Sequence, residues 1–349
     1  MKTTALKGIL MLIIICTQLS CSKDYVLESN MEETFYVRNG GSDMPVFVRG
    51  NGESNKILLL LHGGPGDTSV SYLNSAYSQQ LHTHYAVAYY DQRQQGNSHG
   101  HFDPEENSLS QIVEDTHDVV KALQYRYGGD IEIYLWGHSW GGAVGTAYLQ
   151  TADYQSEISG FIEVSGGYDF DFINQAVISK LTSQAEIELA QGNHIEFWKE
   201  VVDYIADLDV NNLTTEQSLD LNRYAGQIER DELIDDLYVI PSTEAFSEIN
   251  DKVTNPLSVT FNAISIFTQE YLIDELLSIS LSENLNLITV PTLLIWGHYD
   301  FKVPVELGQF AYNNIGSEDK TFHIYPHAGH TTMRYDADRF VNDVREFID

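Results

Sequence analysis

Leu135-Trp136-Gly137-His138-Ser139-Trp140-Gly141-Gly142 is the stretch on which the reading of this chain turns. The β-like run Ile131 to Trp136 leads into it, and the small-residue pattern Ala143-Val144-Gly145-Thr146-Ala147-Tyr148-Leu149 follows it. A strand therefore turns at once into a helix around Gly-x-Ser-x-Gly. A turn that tight puts its central residue in a strained backbone conformation. Gly137 and Gly141 have no Cβ to clash there, so the turn can close and lift the Ser139 hydroxyl clear of the sheet. Ser139 is the candidate nucleophile. The rest of the chain then has to supply oxyanion donors, an acid and a histidine, in that order.

Composition narrows the choices. The chain has 349 residues, 43% of them apolar, enough for one large domain with an insertion or for two modest domains. Acidic residues number 51 against 19 basic ones, for a formal net charge of −32. Such a surface repels nucleic acid and anionic lipid head groups, which excludes nucleic-acid binding, and it favours cationic ligands. The two cysteines, Cys16 and Cys21, both stand near the N-terminus, so the body holds neither a disulfide framework nor a cysteine zinc site. The histidines are scattered without His-Glu-x-x-His spacing, and no metal or organic cofactor is expected.

At the N-terminus, Lys2 and Lys7 precede Ile9-Leu10-Met11-Leu12-Ile13-Ile14-Ile15-Cys16, a basic region and an apolar stretch too short to span a bilayer. Thr17-Gln18-Leu19-Ser20-Cys21 resembles a bacterial lipoprotein signal, in which a small residue precedes a cysteine that is lipidated and becomes residue one. Gln18 departs from that pattern, standing where an aliphatic residue is usual. The resemblance implies a signal over 1–21, lipidation at Cys21 and an exported cell-envelope protein held by acyl chains without a spanning helix. The alternative is an ordinary secretory signal cut nearby, with Cys21 incidental.

Beyond the leader, Thr34-Phe35-Tyr36-Val37-Arg38 and Pro45-Val46-Phe47-Val48-Arg49 alternate as two strands around an Asn39-Gly40-Gly41 turn. Ile57-Leu58-Leu59-Leu60-Leu61 is apolar throughout, as for a strand buried on both faces, and ends in His62-Gly63-Gly64-Pro65-Gly66. His-Gly-Gly-Pro-Gly after a buried strand resembles the proline iminopeptidase family of serine peptidases, within the α/β-hydrolases. The resemblance implies an oxyanion-hole amide from Gly64, with Gly63 supporting the turn, and a second amide from Trp140 directly after the nucleophile. The next strand, Ala86-Val87-Ala88-Tyr89-Tyr90, ends in Asp91-Gln92-Arg93-Gln94-Gln95-Gly96-Asn97-Ser98. It is similar to the family's Asp-Gln-Arg-Gly-x-Gly-x-Ser, with Gln94 where the first glycine is usual; Asp91 and Arg93 read as structural. Leu109, Ile112, Val113, Val119, Val120 and Leu123 mark one face of a helix, and Phe161-Ile162-Glu163-Val164 a further strand.

From about 168 to 287 the strand-like runs give way to helical spacing, as in Ile187, Phe197, Trp198, Val201, Val202, Ile205 and Leu208. An insertion of this length is too long for a loop and reads as a helical cap over the strand ends. It carries 23 acids and 5 bases. The resemblance gives this charge a use, since proline iminopeptidases bind a peptide's free ammonium through cap carboxylates; no single cap residue can be matched to that role, and a solvated acidic surface is the plainer reading of each.

Thr292-Leu293-Leu294-Ile295-Trp296 returns to the core. Gly297-His298-Tyr299-Asp300-Phe301-Lys302-Val303-Pro304 is similar to the family's acid loop, making Asp300 the acid; some relatives follow it with a second acid, where this chain has Phe301. After the strand Thr321-Phe322-His323-Ile324-Tyr325 comes His327-Ala328-Gly329-His330. The family's histidine directly follows glycine, which selects His330 over His327, and Phe340, Val341, Val344, Phe347 and Ile348 give a closing helix.

The expected architecture is an α/β-hydrolase fold, a mostly parallel sheet flanked by helices, with core over 22–167 and 288–349 and cap over 168–287. The expected activity is serine hydrolysis by Ser139, Asp300 and His330 on a short peptide or small molecule, as an aminopeptidase by resemblance. Serine at the turn argues against haloalkane dehalogenase or epoxide hydrolase chemistry, where relatives use aspartate. The rivals are an esterase, lactonase or amidase on the same residues, and a non-catalytic anchored binding protein. Oligomeric state is left open.

Overall fold

Continuous apolar runs make strands that water cannot reach from either side, and these form the centre of the molecule. A computed structural model describes residues 27–101, 107–240 and 266–349. Cys16, Cys21 and the expected leader lie outside the described residues, as does 241–265 of the insertion. Among the described residues no helix is long and apolar enough to cross a membrane.

β1 (Met31–Asn39) and β2 (Ser42–Gly50) form an antiparallel hairpin through Gly40-Gly41. β3 (Lys56–Leu61) and β4 (Ala86–Tyr90) follow, then the two-residue β5 (His99–Gly100), which pairs with β2. β6 (Glu132–His138), β7 (Gly160–Val164), β8 (Thr292–Gly297) and β9 (Lys320–Tyr325) complete a sheet ordered β1-β2-β4-β3-β6-β7-β8-β9. From β4 to β9 every neighbouring pair is parallel; β2 joins β4 antiparallel.

The helices of ten or more residues are α1 (Leu109–Tyr127), α2 (Trp140–Gln150), α3 (Phe170–Gln191), α4 (Ile195–Ala206), α5 (Thr215–Arg230), α6 (Ile266–Leu277), α7 (Val305–Asn314) and α8 (Ala337–Ile348). Alternation along β3 shows how the two faces are divided. Ile57, Leu59 and Leu61 share a core with Ile112 and Val119 of α1, while Leu58 and Leu60 share one with Tyr77 and with Phe340 and Val344 of α8. Both faces are covered, as a parallel sheet requires.

Between β7 and β8 run α3, α4, α5 and α6 and a 3₁₀ turn over Ser282–Leu287. Side chains cap the starts of α3 and α5. The Asp169 carboxylate accepts the Phe172 N–H, and Thr214 and Gln217 form a capping box at α5. Trp198 and Val201 of α4 are buried, but Val202 and, on α3, Ile187 are exposed. The insertion is thin, so a helix in it covers a narrower stripe than the spacing of apolar residues suggests.

The elbow rests on backbone contact. Ser139 has φ 55 and ψ −119, a strained conformation for a residue with a side chain. A Cβ on Gly141 would run into the Leu61 carbonyl, so α2 can start here only with glycine at that position. Under the elbow lies Glu163 of β7, whose buried carboxyl abuts Gly142 and Gly166. Burial pushes this carboxyl up from 4.5 to about 8, against a small opposing effect of the Thr146 hydroxyl. The folded chain therefore keeps a proton that the unfolded chain releases, and stability falls as pH rises from 4.5 to 8. Glu163→Gln is expected to remove this slope, gaining on the order of a few kcal/mol over the parent at alkaline relative to acid pH. Urea midpoints of the two proteins across that range check it, and parallel profiles would contradict it.

Candidate active site

Parallel strands end together, so the loops after β3, β6, β8 and β9 meet along one rim of the sheet. There the Ser139 Oγ lies 2.9 Å from His330 Nε2, and His330 Nδ1 lies 2.9 Å from Asp300 Oδ2. The three residues singled out in the sequence are brought together, from loops 30 and 191 positions apart. His327, the rejected alternative, is elsewhere: its Nδ1 meets the Asp236 carbonyl and its ring stacks on Tyr238.

The hydrogen bonds fix where the protons are. Asp300 is buried, its Oδ1 accepting the amides of Lys302 and Val303. Burial alone would raise its carboxyl. The His330 ring, with hydrogen bonds from that ring, the Val303 amide and the Ser165 hydroxyl, outweighs burial and holds the carboxyl below its ordinary value. An ionised Asp300 accepts the Nδ1–H, and that tautomer turns the Nε2 lone pair toward the Ser139 hydroxyl.

A second histidine supports the first. His138 Nε2 is 3.1 Å from the His330 carbonyl oxygen, which can only accept, so Nε2 carries the proton. Its Nδ1 then accepts from the Tyr72 hydroxyl at 2.7 Å, and the Tyr72 oxygen accepts the Gly63 N–H at 3.0 Å. Burial, with the neighbouring His330, pushes His138 down from 6.5 to about 3. This chain ties the loop after β3 to the loop carrying His330. The His330 amide is in turn held by Glu229 of α5, which also accepts the Thr331 hydroxyl.

Gly63 therefore spends its amide inside the protein. Among the described residues Gly64 shows no such partner, and it faces the cavity over Ser139. Trp140 opens α2, where a helix leaves its first N–H groups unpaired. Its indole is anchored by the Gln92 side chain at 2.7 Å. Asp91 ties the same region together, accepting from Thr68, Ser69 and Asn97, and Arg93 makes a buried two-pronged ion pair with Asp115 of α1. Gln94, in the place of a usual glycine, takes the left-handed conformation itself, at φ 59.

The cavity has a volume of about 310 Å³. Its insertion-side wall is Phe170, Ile173, Val177, Leu221 and Leu276, with Asn174, Ser218 and Asn222 as polar members. No acid of the insertion lines it among the described residues; its one carboxylate is Asp67, and its one lysine is Lys302. Nor do the described residues hold a group of three or more His, Cys, Asp or Glu placed to bind a metal. Tyr72, His138 and Glu229 were not read as site residues from the sequence. His138 stands inside the motif, but Tyr72 and Glu229 carry no local signal.

The alpha/beta hydrolase fold family matches over residues 56–334. The chain belongs to that family and is a hydrolase. Within it the likeness is to the proline iminopeptidases. The chain is 29% identical over 280 residues to a proline iminopeptidase of Chitinophaga pinensis, covering 77% of this chain and 85% of that one. It is 23% identical over 310 residues to the probable aminopeptidase YbaC of Bacillus subtilis, covering 87% and 92%. An esterase from Exiguobacterium antarcticum shares the fold, with a TM-score of 0.57 at 16% identity over 90% of this chain and 99% of that one.

Tyr72→Phe strands the Gly63 N–H and the His138 Nδ1 in a buried place. It is expected to cost about 1–3 kcal/mol in urea unfolding. The His138 contribution is present above its ordinary 6.5 and is lost as pH falls toward 3, so the parent's acid limb should begin below 6.5.

Proposed function

We propose that this hydrolase is a serine aminopeptidase that releases N-terminal residues from short peptides through an acyl-enzyme. The observation that carries the reading is the pair of 2.9 Å contacts linking Ser139 to His330 and His330 to Asp300. Ser139 Oγ attacks the peptide carbonyl carbon as its proton passes to His330 Nε2. The oxyanion formed sits between the amides of Gly64 and Trp140. His330 passes its proton to the leaving nitrogen, the C–N bond breaks and Ser139 holds the acyl group as an ester. Water then attacks that ester, losing a proton to His330, and Ser139 leaves with the proton returned. Asp300 keeps the ring in its tautomer and balances its charge while it is protonated.

The likeness to aminopeptidases favours peptides with a free amine. One observation favours a second reading, an esterase or amidase on the same residues: the insertion turns an apolar wall, not its acids, toward Ser139. The leader reading adds the proposal that Cys21 is lipidated and that the enzyme is an exported, lipid-anchored protein of the cell envelope, on its periplasmic or surface face.

A fluorophosphonate should label the parent and not Ser139→Ala. Asp300→Asn should lower kcat by about 10⁴-fold, by the loss of the correct tautomer. Proline, alanine and leucine naphthylamides should be cleaved in preference to p-nitrophenyl esters, and acetylation of the amine should abolish cleavage. Fast ester turnover with none of the naphthylamides cleaved would replace the aminopeptidase by the esterase.

A further inference from the structure

The charges around Ser139 are sparse in a chain with 51 acidic residues, and they are of both signs. Asp67 closes the loop after β3, and Lys302 lies in the loop after β8. Ser139 follows β6, and the sheet order β3-β6-β7-β8 places the nucleophile between them. Three strand spacings separate β3 from β8, about 14 Å before either side chain reaches inward.

Lys302 is built to present its ammonium. Its amide is fixed on the Asp300 carboxylate at 3.0 Å, so the backbone at this position is as well placed as the acid itself. Its side chain runs past Gly226 in the interior of α5, where a Cβ would stand 3.0 Å from Lys302 Cε and 3.4 Å from Nζ. A glycine inside a helix costs about 1 kcal/mol relative to alanine, and here it leaves room for the lysine. Lys302 lines both the cavity and an outer depression bordered by Gly226, Glu229, Glu232 and Asp235. It makes no ion pair with any of them, nor a hydrogen bond with any described residue. Thr331, next to His330 in the chain, lines both spaces as Lys302 does.

We propose that Lys302 binds the free C-terminal carboxylate of the leaving group, with Asp67 taking the substrate ammonium on the other side of Ser139. The natural substrates are then free di- and tripeptides, zwitterions matched at both ends. An extended peptide advances about 3.3–3.6 Å per residue, so two or three residues bridge the gap between the two side chains. A cavity of about 310 Å³ is also at the small end for ligand sites. This assignment rests on the aminopeptidase reading above and narrows it from N-terminal residues in general to peptides whose carboxylate is within reach.

The test compares a dipeptide, alanyl-alanine, with its C-terminal amide in the parent, Lys302→Gln and Lys302→Arg. The parent is expected to favour the free acid over the amide by tenfold or more in kcat/KM, chiefly through KM. Lys302→Gln should bring that ratio close to one, and Lys302→Arg should keep most of it. Equal turnover of acid and amide by the parent, or a preference that survives in Lys302→Gln, would overturn the proposal. If the parent cleaves neither these peptides nor prolyl-alanine and its amide, the aminopeptidase reading fails by itself. Lys302 is then read on aryl esters, 4-acetoxybenzoate against 4-acetoxybenzamide. A preference for the carboxylate that Lys302→Gln removes retains the anion site, and no preference overturns it. Lengthening the peptide gives an independent check, with kcat/KM expected to fall beyond three residues.

Discussion

A buried carboxylate held in its charged form governs the architecture of this site. Asp300 has no exposure to solvent, and an isolated anion in such a place would take up a proton. It stays ionised because two amides of its own loop and the Nδ1 proton of His330 satisfy it. The same bond determines that His330 presents a lone pair, not a proton, to Ser139. Geometry and protonation are thus one fact. The loop after β8 must fold tightly on Asp300 for either to hold, and Val303, whose amide does part of this work, is itself buried in the core.

Much of this was legible in the sequence because backbone constraints leave residue signatures. Strands buried on both faces read as unbroken apolar runs, and β3, β4 and β8 were visible that way, whereas β9 is partly exposed and mixes Lys320, Thr321 and His323 with its apolar residues. The elbow was legible because only glycine can stand at 141 against the Leu61 carbonyl. Ser139, Asp300 and His330 were legible because each follows a strand with its own glycine-bearing loop. Tyr72 and Glu229 were not, since each reaches the site across the fold from an ordinary helical stretch, and only tertiary contact reveals it. Gln94 departs from the pattern yet keeps the conformation, at a cost of about 1–2 kcal/mol for a left-handed residue with a side chain.

The insertion shows where composition misleads. Its 23 acids against 5 bases invite a role in holding a cationic substrate. The structure separates the charge from the cavity: the helices turn Phe170, Ile173, Val177, Leu221 and Leu276 inward, and the acids of their described part stay off the cavity wall. This is what amphipathic helices do when they cover a pocket, because the inward face must exclude water while the outward face keeps the chain soluble. Glu229 is the instructive exception. It reaches the site, but its two oxygens are engaged by the His330 amide and the Thr331 hydroxyl, so it fixes the histidine loop to α5. A carboxylate near a catalytic residue can be structural in this sense, and only its partners tell the difference.

Two buried titratable groups lie close to the elbow, and they shift in opposite directions. Glu163 resists ionisation beneath Ser139, and His138 resists protonation beside it. Each is neutral at neutral pH, so the strained turn is packed on a surface that carries no net charge from below. Asp300 is then the carboxylate that meets the His330 ring, while Glu229 meets only the His330 backbone. Had Glu163 been charged, it would have added a second anion beneath Ser139 and raised the energy of the oxyanion in the proposed reaction. Burying both groups as neutral species keeps further charge from beneath Ser139, while the acid loop holds the Asp300 carboxylate in place behind His330.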